Sequence, residues 1–476
     1  MHDLGAARGT SSRGDQSMSR KRKTNRCEHS TSNDKPQPLP ILQPNTAGLD
    51  IGATEIYAAV AGDRDQKPVR CFGTFTVELL ALAAWLRQCG IETVAMEATG
   101  VYWIPVFQIL EAQGFEVCLV NPRYFQNVPG RRTDVSDCQW LQRLHSVGLL
   151  QGSFRPPQQV CALRSLTRHR DNLIQLASTH ILHMQKALDQ MNVQLHHVLS
   201  DITGLSGLAI IDAILDGERD PAVLAELRDG RVQASTETIV QALTGDYRAE
   251  HLFTLKQSLE CYRHYRKMLA SCDREIEQLL KHFEARVDAT TKPLGTPKVR
   301  RKPVRNQPKF DLRKHLYRIF GVDLTEIPGI SVLTAHTILS EIGPDLSKFP
   351  NDAAFASWLG LCPHNDITGG RVVSCKTRRV KNRAALAFRL AANALWRSQS
   401  ALGDYFRRMR AKLGAPEAIT AAAHKLARIV FHMLSTREPY DESLVRNHEQ
   451  QFRARAEARL RAQAKALGYS VIAATA

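Results

Sequence analysis

The spacing of apolar residues divides the chain into stretches of different kinds. Residues 1–45 hold Ser, Arg, Lys, Asn and Pro with almost no apolar period, which predicts a disordered basic arm centred on Ser19-Arg20-Lys21-Arg22-Lys23. From Thr46 short apolar runs begin. Ala47-Gly48-Leu49-Asp50-Ile51-Gly52 reads as a strand closed by a tight turn, Ile56–Ala61 as the next strand and Val69–Phe75 as a third. Glu78–Gln88 carries Leu79, Leu82, Ala83 and Leu86 at helical spacing. Thr93–Met96 is a short buried strand, Trp103–Gln113 a helix, and Val117–Val120 a strand ended by Asn121-Pro122. Asp134–Val147 is helical, with Trp140, Leu141 and Leu144 on one face. Three early strands followed by alternating helices and strands describe an α/β domain with a mixed sheet over residues 46–150.

Strand signals then stop. Leu163, Leu166, Leu173, Leu176, Ile181, Leu182, Leu188, Met191 and Leu195 fall at heptad or helical spacings. They predict long helices over 155–285, either a coiled coil suited to dimerisation or a self-contained helical hairpin. Residues 286–311 place Pro293, Pro297, Pro303 and Pro308 among Lys298, Arg300, Arg301, Lys302, Arg305 and Lys309. Such a stretch is an extended basic linker, able to follow a phosphate backbone or simply to stay solvated.

Residues 312–440 read as mainly helical. Leu324–Ile330 followed by Leu333–Ile342 suggests helix, glycine turn, helix, and a helix-hairpin-helix of this kind would aim backbone N–H groups near Gly329 at a phosphate. Leu199, Ile202, Gly204, Ser206 and Leu208 echo Leu324, Ile327, Gly329, Ser331 and Leu333 at a constant offset. Cys362–Arg379 is rich in turn residues, hydroxyls and cations, and residues 441–476 form a basic helical tail.

Composition narrows the class. Of 476 residues, 64 are Lys or Arg and 47 Asp or Glu, a net charge of +17 that suits a polyanionic partner. No run of about 18 apolar residues or apolar signal core favours a membrane. The expectation is a soluble protein that meets nucleic acid inside the cell. Ten cysteines are scattered singly without a Cys-x-x-Cys, as reduced thiols are; Cys362, His364 and Cys375 lack the fourth ligand and spacing of a zinc site.

Against this basic background four carboxylates stand at element ends: Asp50, Glu97 in Met96-Glu97-Ala98-Thr99-Gly100, and Asp134 and Asp137 in Arg132-Thr133-Asp134-Val135-Ser136-Asp137. Each has a plain structural reading, Asp134 as an N-cap, Asp137 as a first-turn charge, Glu97 as a turn cap. Together they supply the oxygen ligands that Mg²⁺ prefers and that metal-assisted phosphodiester cleavage requires. The i, i+3 spacing puts Asp134 and Asp137 on one helix face.

These three acidic motifs resemble those of the DEDD-type insertion-sequence transposases. Ile327-Pro328-Gly329-Ile330, Trp358-Leu359-Gly360-Leu361-Cys362-Pro363, Gly369-Gly370 and Asn382-Arg383-Ala384 are similar to that family's C-terminal domain. The resemblance runs over about residues 47–435. It implies an RNase H-like (RuvC-type) N-terminal domain in which Asp50, Glu97, Asp134 and Asp137 bind Mg²⁺. It also implies a homo-oligomer, dimer or tetramer, acting in the bacterial cytoplasm at the nucleoid. Such an enzyme recombines element ends with target DNA under an element-encoded guide RNA. In the family a C-terminal serine acts with the carboxylates, as the nucleophile. Here the corresponding Ser-Gly-Gly reads Thr368-Gly369-Gly370, while Ser374 lies six residues on beside Lys376, Arg378 and Arg379. Position favours Thr368 and side-chain type favours Ser374. A metal-dependent junction nuclease with no covalent step, or an inactive nucleic-acid-binding copy, would share the same acidic and basic residues.

Overall fold

The computed structural model describes residues 39–98, 100–121, 134–288, 290–296, 306–378 and 380–472. The chain forms two compact units that divide after Phe154.

The first unit is built on a five-stranded sheet. Its strands are β1 (Thr46–Ile51), β2 (Glu55–Val60), β3 (Val69–Gly73), β4 (Thr93–Glu97) and β5 (Glu116–Val120), in the spatial order β3-β2-β1-β4-β5. β1 to β3 are antiparallel, whereas β1–β4 and β4–β5 are parallel, so the sheet is mixed as the sequence pattern predicts. Side chains alternate across a strand. Ala47, Leu49, Ile51, Val94 and Met96 point into a core filled by Leu82, Leu86, Val106 and Leu110 of α1 (Thr76–Gln88) and α2 (Trp103–Ala112). The opposite face receives α3 (Asp134–Ser146), whose Leu141 packs with Ala95 and Val120. On α3 the inward residues are Cys138, Leu141 and His145, while Trp140 is turned outward. Trp140 thus leaves the face it was expected to share with Leu141, because about 100° of helix rotation separates neighbours.

α3 approaches β1 closely at Gly48. A β-carbon there would overlap the Cys138 carbonyl oxygen and the Gln142 amide nitrogen and lie 3.0 Å from Gln142 Cα. The Gln142 amide group also reaches β1, donating to Thr46 Oγ1 at 3.1 Å. His145 meets Thr93 Oγ1 at 2.9 Å, tying the far end of α3 to β4.

Among its described residues the second unit is helical apart from one hairpin. α4 (Gln158–Gln190) and α9 (Ala249–His282) lie antiparallel: Arg170 Nε is 2.5 Å from Asp273 Oδ1, and His180 stacks on Tyr265 at 5.5 Å. Of the two arrangements open to the 155–285 segment, these helices take up the hairpin within one chain. Their far end is closed by α5 (Leu195–Val198), α6 (Leu205–Leu215), α7 (Pro221–Glu226) and α8 (Thr236–Leu243), which share a core with Met184, Leu188, Leu255 and Leu259.

The near end of α4 packs on α11 (Val332–Ile342), which follows α10 (Leu312–Phe320). Buried Glu341 accepts from Arg168 Nε at 3.0 Å and Nη2 at 2.8 Å, and Arg164 Nε lies 3.3 Å away. Beyond come α12 (Asp352–Trp358), β6 (Asp366–Thr368), β7 (Arg371–Ser374), α13 (Arg383–Asn393), α14 (Ala401–Leu413), α15 (Ala415–Thr436) and α16 (Glu442–Ala466). Phe355 is fully buried among Phe349, Phe388 and Phe431.

The internal echo is one of sequence alone. Gly204 is extended, with φ −75° and ψ −178°, and caps α6 directly. Gly329 has φ +92°, and α11 starts only after Ser331, whose Oγ accepts from Thr334 N at 3.1 Å.

Candidate active site

Strand register assembles the first two carboxylates. Leu49 pairs with Met96 in the parallel β1–β4 ladder, so the next residues, Asp50 and Glu97, stand level on neighbouring strands. Both share the parity of Gly48 and Ala95, and hence the sheet face that carries α3. Their position at the carboxyl ends of parallel strands is where open α/β sheets place their ligands. The close seat of α3 on Gly48 brings the third and fourth: Asp134 and Asp137 occupy the first turn of α3, just before the point where Cys138 and Gln142 meet β1. The positive end of the helix favours negative charge there.

The electrostatics report this convergence directly. Burial pushes the Asp50 carboxyl up from 3.8 to about 6, and repulsion from Asp134, Asp137 and Glu97 adds to it, while a hydrogen bond from the Ile51 backbone opposes it. Burial likewise pushes the neighbouring Cys138 thiol up to about 12, so it packs as a neutral group. Among the described residues no group of three or more His, Cys, Asp or Glu side chains is drawn together tightly enough to hold a metal ion. The four are electrostatic neighbours and not a closed cage, since like charges repel unless a counter-charge stands between them. Their chemistry fits a hard divalent cation: the donors are all oxygen, and a cation would relieve the repulsion that Asp50 feels.

The two candidate hydroxyls lie in the second unit, on one hairpin. Thr368 and Arg371 flank Gly369 and Gly370, whose φ values of +57° and +76° make a two-residue turn of the primed type. Thr368 is at the exposed tip. Ser374 pairs with Asp366 at the base, where its Oγ accepts from Lys376 N at 3.4 Å. Ile367, Val372 and Val373 on the same hairpin are 62%, 56% and 71% exposed. Strands here were not expected, because the stretch has few large apolar residues and those it has face outward.

The basic candidates divide. Lys376 is exposed at the hairpin base, and its carbonyl accepts from His364 N at 3.0 Å. Arg378 donates to the Ser357 carbonyl at 2.9 Å, a contact that anchors the hairpin. Arg300, Arg301, Lys302, Arg305 and Arg379 lie outside the described residues. Gly329 turns inward: a β-carbon there would lie 2.5 Å from the Ala391 carbonyl oxygen of α13, and the residues before it form only a short 3-10 turn, Leu324–Glu326. Packing against α13 therefore accounts for the glycine. Gly48 was not singled out as a site residue; its signal was a residue without a side chain two places before an acidic strand end.

Among the described residues no helix is long and apolar enough to cross a membrane. No curated protein matches the chain. Residues 47–193 match the family model of the IS110-type DEDD transposases, and residues 323–407 match that of the IS116/IS110/IS902 transposase family. The first span contains Asp50, Glu97, Asp134 and Asp137, and the second contains Gly329, Thr368 and Ser374. Both matches, present and in order, support an IS110-type DEDD transposase of insertion sequences.

Proposed function

We propose that this chain cuts and rejoins DNA strands for an insertion sequence, through a tetrad of Asp50, Glu97, Asp134 and Asp137 and a hydroxyl from the 366–374 hairpin. The observation that carries the proposal is geometric: half-buried Asp50 stands level with Glu97 at two parallel strand ends beside the first turn of α3, and burial with the three neighbouring acids holds its carboxyl up. A structural cap has no need of three like charges around it. The mixed β3-β2-β1-β4-β5 sheet with α3 laid on β1 is compatible with an RNase H-like catalytic domain.

Divalent metal held by the tetrad would activate the attacking oxygen and neutralise the leaving one. Asp50 and Glu97 hold their carboxylates level at two strand ends, and Asp134 and Asp137 approach from a helix of fixed seat, so the ligands are pre-positioned. In the chemical step the hydroxyl oxygen of Thr368 or Ser374 bonds to phosphorus. The bond from phosphorus to one bridging oxygen breaks, and the released deoxyribose oxygen takes up the hydroxyl proton. One phosphoester replaces another, so the reverse step can rejoin DNA without an outside energy source. Guidance by an element-encoded RNA and a homo-oligomeric assembly are what the likeness to that family implies, and belong to the same proposal.

The test is strand exchange on element-end and target DNA with Mg²⁺ and the co-purified RNA. Asp50→Asn and Glu97→Gln are expected to abolish product while leaving nucleic-acid binding within about twofold. Retained strand exchange in either variant would overturn the tetrad. Cleavage without a protein–DNA adduct on a suicide substrate would replace the covalent mechanism by hydrolysis.

A further inference from the structure

A cleft of about 980 Å³ opens in the second unit between α9 and the segment Asn306–Phe310, the described end of the basic linker. Its floor is apolar, from Leu269, Pro308 and Phe310. Phe310 is held edge-on by His315, with ring centres 5.8 Å apart. Its walls carry five cationic side chains against two carboxylates.

The carboxylates are already engaged. Asp273 holds Arg170 at 2.5 Å, and Arg170 also donates to the Asn306 carbonyl at 2.7 Å. Glu277 lies 3.5 Å from Lys281 and 3.9 Å from His315 Nε2. Arg266 is braced by the Asn306 side chain at 3.4 Å. Lys267, Arg274 and Lys309 line the same cleft, exposed, and have no ion pair among the described residues. Lys267 and Arg274 lie seven residues apart, two turns of helix and about 10 Å along one face of α9. The site therefore offers an apolar floor with an aromatic ring, and cations spaced along its length with no acid left to neutralise them.

We infer that this cleft binds a single nucleic-acid strand, its phosphates along Lys267, Arg274 and Lys309 and a base against Phe310. A bare anion would have no use for the apolar floor, whereas stacking on an aromatic ring beside a cationic track is how unpaired strands are held. A duplex, with its bases already stacked inside, would present only phosphates. The inference does not depend on the carboxylate tetrad.

The experiment compares the full chain with a Lys267→Glu, Arg274→Glu, Lys309→Glu variant. A control variant, Lys186→Glu, Lys256→Glu, Lys412→Glu, makes the same charge change at exposed positions outside the cleft. Probes are labelled 20-nucleotide polyuridine, polydeoxythymidine of the same length, and a mixed-sequence DNA duplex, read by fluorescence anisotropy over a range of salt. Thermal melting confirms that each variant is folded. The cleft variant is expected to bind single strands at least tenfold more weakly than the control variant, with the salt slope reduced by about 2. Phe310→Ala is expected to weaken single strands more than duplex, and the ratio of RNA to DNA affinity identifies which strand the cleft takes. Equal losses in the cleft and control variants, or a larger loss for duplex than for single strands, would overturn the inference.

Discussion

The amide nitrogen of Gln142 occupies the space that a β-carbon on Gly48 would need. This contact sets the distance between α3 and β1, and so the distance of Asp134 and Asp137 from Asp50. Gly48→Ala is therefore expected to act on the site without touching a carboxylate. Displacing a helix backbone from a packed strand costs about 1–3 kcal/mol. It also moves two of the four acids outward. The expected outcome is a protein that remains folded in urea titration, with its midpoint lowered, and loses strand cleavage by at least tenfold. Wild-type stability together with wild-type cleavage would show that α3 can be seated elsewhere without consequence.

Asp50 carries a second prediction. Its charge is opposed by burial and by Asp134, Asp137 and Glu97, so removing it relieves the fold. Solvent screening at a partly exposed carboxylate limits the gain to about 1 kcal/mol, or about 2–4 °C in Tm for a unit of this size. Asp50→Asn measured in EDTA at neutral pH is expected to melt above wild type. Mg²⁺ should then raise the wild-type Tm and leave the variant nearly unmoved, because a ligand that binds only the native state stabilises it. A variant that melts lower than wild type in EDTA would assign Asp50 a structural role.

A third prediction concerns His336 on α11. Its ring is 4% exposed, and Nε2 lies 3.0 Å from Thr167 Oγ1. The Thr167 hydroxyl donates to the Leu163 carbonyl at 2.8 Å, so it accepts from His336, and the proton of the neutral ring belongs on Nε2. Nδ1 is buried without a hydrogen-bond partner among the described residues. Burial, with the Arg170 charge adding to it, lowers the imidazole from 6.5 to about 4. The unfolded chain thus takes up a proton near pH 6.5 that the native state refuses until about pH 4. Stability from this group is complete above pH 6.5 and declines between the two values, by about 3 kcal/mol in all. Protection factors of α11 amides, which divide out the intrinsic pH dependence of exchange, are expected to fall more between pH 7 and 4.5 in wild type than in His336→Gln, and an identical pH profile would place the acid sensitivity in other groups.

Much of the first unit could be read from period alone. Buried runs such as Val94-Ala95-Met96 and the helical spacing of Leu79, Leu82 and Leu86 mark their elements because burial on one face imposes that spacing. The carboxylates were legible for a related reason: Asp50 and Glu97 end apolar strands, where a charge is conspicuous. The role of Gly48 was not legible, because it depends on a helix that begins 86 residues later. At Gly329 a second constraint was hidden from the sequence: the space beside the glycine turn is filled by the Ala391 carbonyl of α13. The 366–374 hairpin escaped because its apolar residues face outward, which removes the pattern by which strands are recognised. Of the cleft cations Lys309 was visible in the basic linker, but Lys267 and Arg274 escaped because they line the same cleft only after the chain has turned back on itself.

The hairpin also separates the two hydroxyls by their surroundings. Thr368 stands exposed at a turn whose two glycines both have positive φ. Nothing within 4 Å would meet a β-carbon on either glycine, so the tip can approach another backbone or a phosphate closely. Ser374 is partly buried at the base, pairs with Asp366 and receives the Lys376 amide. A nucleophile needs access to phosphorus more than it needs a preformed hydrogen bond, so the geometry favours Thr368. Its β-methyl crowds that approach. Thr368→Ser should therefore preserve or raise the rate of adduct formation on a suicide substrate, Thr368→Ala should abolish it, and Ser374→Ala should lower it by less than tenfold. These outcomes are read on a denaturing gel as DNA-linked protein, with peptide mapping of the linked residue. An adduct that persists in the Thr368→Ala variant and disappears in Ser374→Ala would move the nucleophile to the hairpin base. An adduct that survives both substitutions would remove the hairpin hydroxyls from the chemistry altogether.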